Sequence, residues 1–155
     1  MFMKLLMNIA LAALIALPAA AQEQTVLERW EETPTTIFDG SEIVLSELQW
    51  MVRPLVVFAD TPNDPRFRQQ LDLLMADMDR LAERDVLVIT DTDPANMSEL
   101  RTALRPRGYM MALVGKDGRV ALRKPEPYDV RELSRSIDKM PLRQQEIEDR
   151  RQVEP

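Results

Sequence analysis

The sequence predicts an α/β fold with a central mixed sheet flanked by helices. Two short apolar runs rich in β-branched residues, 54–59 and 86–89, are each followed by a segment with apolar residues at helical spacing. Two further runs, 109–114 and 119–123, flank the sequence Gly-Lys-Asp-Gly and predict a β-hairpin. Strands that alternate with helices and then form a hairpin indicate a sheet that is parallel in one part and antiparallel in the other.

The first 21 residues have the pattern of a secretory signal peptide. A short segment carrying Lys4 precedes an apolar run at 5–17, and Pro18 is followed by three alanines that end at Ala21. The run is too short to span a bilayer and ends in a small-residue cleavage site. We therefore expect cleavage after Ala21 and a mature protein that is periplasmic or secreted. It is not expected to span a membrane.

Residues 22–46 predict an acidic, irregular lead-in. The stretch 22–50 contains seven acids and one base, is interrupted by Pro34 and Gly40, and has little periodicity. A short strand or helix is expected near residues 43–50, where the globular domain begins.

The first strand, residues 54–59, is continuously apolar, which is typical of a strand covered on both faces. Asp64 and Pro65 then form the signature of an N-cap followed by a proline in the first helical turn. One helix is predicted from an apolar stripe of Phe67, Leu71, Leu74, Met75, Met78 and Leu81.

The second strand, residues 86–89, is followed by the same Asp-Pro signature at Asp93. This signature predicts a shorter helix whose inner face comprises Met97, Leu100 and Leu104.

The hairpin precedes a last predicted helix with an inner face of Val130, Leu133, Ile137 and Met140. The order βαβαββα, with a right-handed crossover between parallel strands, is that of a thioredoxin-like core. We assign the domain to residues 47–147. Residues 141–155 indicate a solvated helix or a frayed end, of which 148–155 form a charged tail.

The chain of 155 residues contains no cysteine and no histidine. This composition excludes disulfides, thiol redox chemistry and thiolate zinc sites. It also removes the usual general base near neutral pH and the commonest transition-metal ligand. The net charge is −6 and becomes −7 when Lys4 is removed, so nucleic-acid binding is not expected. No cofactor is predicted.

Four segments of the chain together carry a family resemblance. They are Arg53-Pro-Leu-Val-Val-Phe-Ala59, the strand with Asp91 at its end, the hairpin turn at 113–118, and an ending that reads Met-Pro-Leu-Arg-Gln-Gln-Glu up to Glu146. They resemble the domain of unknown function 4174 family over roughly residues 47–147. The resemblance implies a thioredoxin-like fold distantly related to peroxiredoxins. Animal relatives occur in secreted matrix and sushi-repeat proteins, so the resemblance implies an extracytoplasmic binding role. It implies no particular catalytic activity.

Two features differ from the wider thioredoxin pattern. The loop at residues 60–65, where redox members carry Cys-x-x-Cys, has no thiol. Thioredoxins also place a cis-proline directly before the third core strand, whereas the nearest proline here is Pro106, three residues before Tyr109.

Asp60, Asp91 and Asp93 follow the ends of the two parallel strands, where α/β folds usually place ligands. These carboxylates are weak candidates for binding Ca²⁺ or Mg²⁺. The alternative is that Asp93 caps a helix while Asp60 and Asp91 are solvated strand ends.

Residues 101–124 contain seven bases and one acid, which indicates an anion-binding surface. Arg101 and Arg105 are four residues apart and are expected on the outer helix face, whereas alternation puts Arg119 and Arg123 on one face of the last strand. The candidate binding residues are Arg101, Arg105, Arg107, Arg119 and Arg123. The alternative is an ordinary solvated face, or one that the acidic lead-in neutralises.

Trp50 is expected to cover the core, and Trp30 to be a docking anchor in the lead-in. The function that the sequence favours is an exported, non-redox, thioredoxin-like domain acting as a binding or interaction module in the cell envelope. Its expected partner is an envelope protein or an anionic polymer. The alternative is a metal-assisted hydrolase or a redox accessory protein that uses the acidic crevice at the strand ends.

Overall fold

A computed structural model describes residues 23–153, so the predicted signal peptide lies outside the described residues. Five strands form one sheet in the order β1-β3-β2-β4-β5. Their bounds are Ile37–Asp39 for β1, Arg53–Phe58 for β2, Val86–Asp91 for β3, Met110–Val114 for β4 and Val120–Lys124 for β5. β3 lies parallel to both β1 and β2, whereas β4 is antiparallel to both β2 and β5. The mixed α/β class is confirmed, and the topology is consistent with a thioredoxin-like fold.

Seven α-helices accompany the sheet within the described residues. They are α1 Val26–Glu32, α2 Leu45–Leu48, α3 Pro65–Met75, α4 Met78–Ala82, α5 Glu99–Leu104, α6 Val130–Asp138 and α7 Pro141–Val153. The buried residues of α3, α4 and α6 pack on one face of the sheet, and those of α1, α2 and α5 pack on the other. None of these helices is long and apolar enough to cross a bilayer.

The central strand β2 is buried along its whole length. Leu55 and Val57 belong to the core on the α3–α4–α6 side, whereas Val56 and Phe58 belong to the core on the other side. Successive side chains of a strand point to opposite faces, so a strand covered by helices on both faces is apolar along most of its length. In β2 only Arg53, at its start, is charged. The continuous apolar run of the sequence therefore predicted this strand correctly.

The lead-in is not irregular. α1 begins with a capping box in which Thr25 and Glu28 exchange hydrogen bonds, and its Trp30 is buried in the core. β1 then adds a fifth strand at the edge of the sheet, parallel to β3. The sequence missed these elements because α1 spans only seven residues and β1 only three, too few to show a period.

The helices differ from the prediction in two places. The single helix expected after Asp64 is interrupted at Asp77, where the backbone leaves the helical region, and continues as α4. α5 begins at Glu99 with Ser98 as its N-cap, whereas Asp93 accepts a hydrogen bond from the amide of Ala95 and closes only a turn. The assignment of Asp93 as a helix cap was therefore wrong.

Because α5 begins after Met97, that side chain is exposed and does not lie on the inner face of a helix. Residues 141–153 form the helical alternative predicted for 141–155, since α7 is continuous to Val153.

Candidate functional site

Of the three aspartates proposed as cation ligands, Asp91 and Asp93 line one cavity, but Asp60 does not. Asp91 is buried, and its Oδ1 accepts a hydrogen bond from Arg101 Nε at 2.7 Å while its Oδ2 accepts one from Ser98 Oγ at 2.7 Å. Asp60 and Asp93 are exposed. Residues 23–153 contain no group of three carboxylates placed to hold a metal ion.

The interior of this sheet end is filled by Arg101. Besides its ion pair with Asp91, its guanidinium donates to the Ala59 carbonyl at 2.9 Å and lies over the Phe58 ring. The backbone of the lead-in closes the site, since a side chain at Gly40 would meet Asp91 Cβ at 2.9 Å. The Asp91–Arg101 ion pair thus fills the interior of this sheet end. A polar cavity of about 320 Å³, lined by Asp39, Asp91 and Asp93 among others, remains outside it.

The arginine candidates do not form one surface. Arg101 is 6% exposed, so its expected place on the outer helix face was wrong. Arg105 and Arg107 are exposed near the end of α5, where Arg105 ends the helix in the left-handed conformation with φ 50°.

Arg119 and Arg123 lie on either side of an irregularity at the start of β5, which breaks the alternation of side chains between them. Val120 pairs with Val114 and Leu122 pairs with Leu113, so the alternation is broken between them. Arg123 donates to the Leu104 carbonyl at the end of α5. Arg119 instead lies beside the start of α7. The expectation that the two share a face was therefore wrong.

The loop that replaces the Cys-x-x-Cys segment is a simple helix start. Asp64 caps α3 through a 2.8 Å hydrogen bond from the Arg66 amide. Below it, Gln70 is buried, and its Oε1 accepts from the Tyr109 hydroxyl and from the Tyr128 amide. Burial of Tyr109 raises the pKa of its hydroxyl above the ordinary value. No peptide bond between residues 23 and 153 is cis.

A second charged group lies at the opposite end of the sheet, where β2 begins. We call it the Arg53 cluster, and it comprises Arg53, Asp85, Lys116 and Glu146. Arg53 is 1% exposed and donates to Glu146 Oε1 at 2.9 Å and to the Arg84 carbonyl at 2.8 Å. Lys116 Nζ lies 2.8 Å from Asp85 Oδ2 and 2.9 Å from Glu146 Oε1.

The carboxylates that hold α7 are ionised easily. Burial opposes ionisation of Glu146, but hydrogen bonds from Arg53 and Lys116 outweigh it and keep the pKa of this group below its ordinary value. Burial likewise opposes ionisation of Asp138, and the facing Arg84 and Arg143 guanidinium groups keep its pKa low. Glu146 and Asp138 therefore tie α7 and α6 to the start of the sheet through charge-assisted hydrogen bonds.

Beside the Arg53 cluster lies a cavity of about 340 Å³, which we call the Trp50 groove. Its apolar wall is formed by Trp50, Ala121, Met140, Pro141 and Leu142. Its polar lining includes Arg53, Lys116, Asp117 and Arg119. A mostly apolar cavity with a few polar groups is the usual form of a small-ligand site.

Trp50 is held at this groove with its side chain 63% exposed. Its backbone has φ 68°, a left-handed conformation that is unfavourable for a bulky residue, and its amide donates to the Lys116 carbonyl at 2.7 Å. The expected roles of the two tryptophans are thus reversed, since Trp30 fills the core and Trp50 faces solvent.

The groove is assembled from distant segments, and three of the four that carry the family resemblance meet there. Arg53 begins the first of them, Lys116 lies in the hairpin turn, and Met140 and Glu146 belong to the ending. Sequence reasoning missed the site because no local pattern joins these segments. The available signal was Arg53, a charged residue directly before the continuous apolar run at 54–59.

A family model described as "Domain of unknown function (DUF4174)" matches residues 44–146. The matched range covers β2 to β5 and every residue that lines the Trp50 groove. No curated protein matches the chain.

Proposed function

The chain belongs to the DUF4174 family, and we propose that it is an exported, non-redox binding domain of the cell envelope that takes its ligand at the Trp50 groove. The proposal for export rests on the signal-peptide pattern of residues 1–21. The absence of cysteine from the whole chain excludes thiol chemistry by the protein itself.

The observation that carries this proposal is the exposure of Trp50 beside an apolar cavity. A non-glycine residue in the left-handed region costs about 1–2 kcal/mol, and a large aromatic side chain in water forfeits the stabilisation of burial. Both costs are explained when a ligand covers the ring, because tryptophan is among the residues that contribute most to binding energy.

The polar groups around the groove support binding without chemical turnover. Asp85 and Glu146 are each paired with bases. A general base needs a pKa near the working pH, whereas Glu146 has a pKa held below its ordinary value. At the other end of the sheet, Asp91 has both oxygens engaged, so no observation favours the hydrolase alternative.

The binding proposal is tested with a neutral apolar fluorophore such as N-phenylnaphthylamine, whose emission rises when it leaves water. We expect the protein to bind it, and Trp50→Ala to weaken binding by about tenfold, as loss of an aromatic anchor does. Met97→Ala is the matched control, because Met97 is also exposed and apolar but lies outside the groove. Equal binding by the two variants would contradict the proposal.

The export proposal needs a separate test. Residues 1–30 are fused to a reporter enzyme that is active only outside the cytoplasm, and the fusion is compared with one in which Ala21 is replaced by Trp. We expect activity and a processed product from the first fusion, and an unprocessed product from the second, since the cleavage site requires small residues. An inactive, unprocessed first fusion would contradict export.

A further inference from the structure

We infer that the ligand of the Trp50 groove is an aliphatic chain that carries one negatively charged acceptor group, of the carboxylate class, bound beside Arg119. This inference rests on the proposed function and adds the chemistry of the ligand. It is argued from the hydrogen-bonding groups of the groove, from their charge balance and from the groove's apolar wall.

The groove offers hydrogen-bond donors with unused capacity. The side chain of Arg119 is exposed and makes no hydrogen bond or ion pair with any residue between 23 and 153. Lys116 Nζ has two carboxylate neighbours for its three protons. A ligand group that only accepts hydrogen bonds is complementary to these donors.

The guanidinium of Arg53 supplies a second, independent observation. Its Nε is buried and has no hydrogen-bond partner among the described residues, although both terminal nitrogens are engaged. A buried donor without a partner is destabilising, and such groups are rare in native proteins. Arg53 lines the groove, and because its Nε is closed to solvent, a bound acceptor would satisfy this donor only if the guanidinium turns toward the cavity.

The groove and the Arg53 cluster together contain three bases and three acids, so they carry no net charge. A preference for an anion therefore depends on the guanidinium of Arg119 and allows one charge at most. Asp85 and Glu146 neutralise Arg53 and Lys116, which leaves Arg119 as the lining base without an acidic partner. Asp117 also lines the groove, and its Oδ1 accepts a hydrogen bond from the Arg119 amide. This carboxylate opposes an incoming anion, so its neutralisation should strengthen binding.

The aliphatic part of the ligand follows from the wall of the groove. Trp50, Met140 and Leu142 present apolar surface to a cavity of about 340 Å³. This volume is at the lower end of the range of about 300–1,000 Å³ for small-molecule sites, so the groove holds a short chain.

The test compares four eight-carbon probes by calorimetry at constant ionic strength: octanoate, octyl phosphate, octanol and octylamine. We expect octanoate to bind about tenfold more tightly than octanol, because a hydrogen bond to a charged group adds to the same chain contact. Octylamine is expected to bind more weakly than octanol, since its cation meets the same donors.

Three variants locate the headgroup. Arg119→Gln should weaken octanoate binding by about threefold to fivefold, as loss of an exposed ion pair does, and leave octanol binding unchanged. Asp117→Asn keeps an oxygen for the Arg119 amide and should strengthen octanoate binding. Arg107→Gln is the matched control, because Arg107 is an exposed arginine outside the groove.

The outcomes separate this inference from the proposed function. Equal binding of octanol and octanoate, abolished by Trp50→Ala, would overturn the anionic headgroup and leave the binding site in place. Octyl phosphate binding more than about tenfold tighter than octanoate would overturn the single charge. Equal losses in the Arg119 and Arg107 variants would show nonspecific attraction. Failure of all four probes and of the neutral fluorophore would overturn both proposals.

Discussion

Replacement of Glu146 by Gln tests whether the Arg53 cluster holds α7 on the sheet. The substitution preserves the shape of the side chain and removes its charge. In the native protein Glu146 accepts from Arg53 at 2.9 Å and lies 2.9 Å from Lys116 Nζ. Both contacts are to Oε1, so the amide oxygen of the variant can keep them. Its NH₂ group then replaces Oε2 and faces the Arg143 guanidinium, which donates to Oε2 at 3.3 Å in the native protein.

The size of the effect follows from burial. Removing one partner of a buried ion pair costs about 3–5 kcal/mol. The Glu146 side chain is 18% exposed, and Asp85 remains 2.8 Å from Lys116 Nζ and 4.0 Å from the Arg53 guanidinium. We therefore expect the free energy of unfolding to fall by less than this, about 2–3 kcal/mol. At about 3 °C per kcal/mol for a chain of this size, Tm falls by about 6–9 °C.

The pH dependence has a definite sign. The folded pKa of Glu146 lies below its ordinary value of 4.5, so its carboxylate contributes stability that is complete above the unfolded pKa and is lost as pH falls through the folded pKa. Denaturant unfolding of both proteins should therefore give a constant difference in the free energy of unfolding near neutral pH. The difference should shrink as the pH falls below 4.5.

Glu148→Gln is the matched control, since Glu148 lies on the same helix but is exposed. Its carboxylate makes a long, exposed contact with the Arg151 guanidinium, at 3.9 Å. Its expected cost is below about 0.5 kcal/mol. The reasoning is refuted when the two variants have the same stability at neutral pH. It is also refuted when the Glu146 variant stays equally destabilised relative to the native protein throughout the acid range.

Three further predictions concern the core and its two ends. Asp91→Asn should lower the free energy of unfolding by about 3 kcal/mol in urea titrations, because it leaves a buried guanidinium without its carboxylate; a cost near zero would contradict the structural role. Trp30→Ala should lower the free energy of unfolding by about 3–5 kcal/mol, because it truncates a core side chain. Trp50→Gly should leave this free energy unchanged or raise it, since glycine adopts the left-handed backbone freely. A lower melting temperature for Trp50→Gly than for Trp30→Ala would refute the placement of Trp30 in the core and Trp50 at the surface. Gln70→Leu should lower the free energy of unfolding, measured by calorimetry, by about 2–4 kcal/mol, because the Tyr109 hydroxyl and the Tyr128 amide both lose their acceptor. An unchanged free energy of unfolding would mean that water replaces the Gln70 oxygen as acceptor.

The sequence was most informative where the structure depends on near neighbours. The apolar run that became β2 and the Asp64 cap of α3 were both predicted, as was the turn in which the Gly118 amide donates to the Gly115 carbonyl. The N-terminal elements were missed because each spans fewer than two full repeats of its pattern, seven residues for α1 and three for β1. Local patterns fix which segments form strands and helices, since propensity and capping act over one or two turns.

Tertiary structure determined which residues line the candidate site. Arg101 and Arg119 are the same residue type in the same basic stretch, yet one is buried against Asp91 and the other is exposed at the groove. The difference depends on where α5 begins and on an irregularity in β5, neither of which a charge pattern reveals.

By itself the sequence determined the fold class, the order of the elements from β2 to α6 apart from the break between α3 and α4, and the absence of thiol and imidazole chemistry. Only the folded chain places Arg53 against Glu146, 93 positions away, with Trp50 exposed beside them. Such contacts form because the packed sheet and helices bring chain segments together at fixed distances. One sequence carries no periodic signal for a pair so far apart.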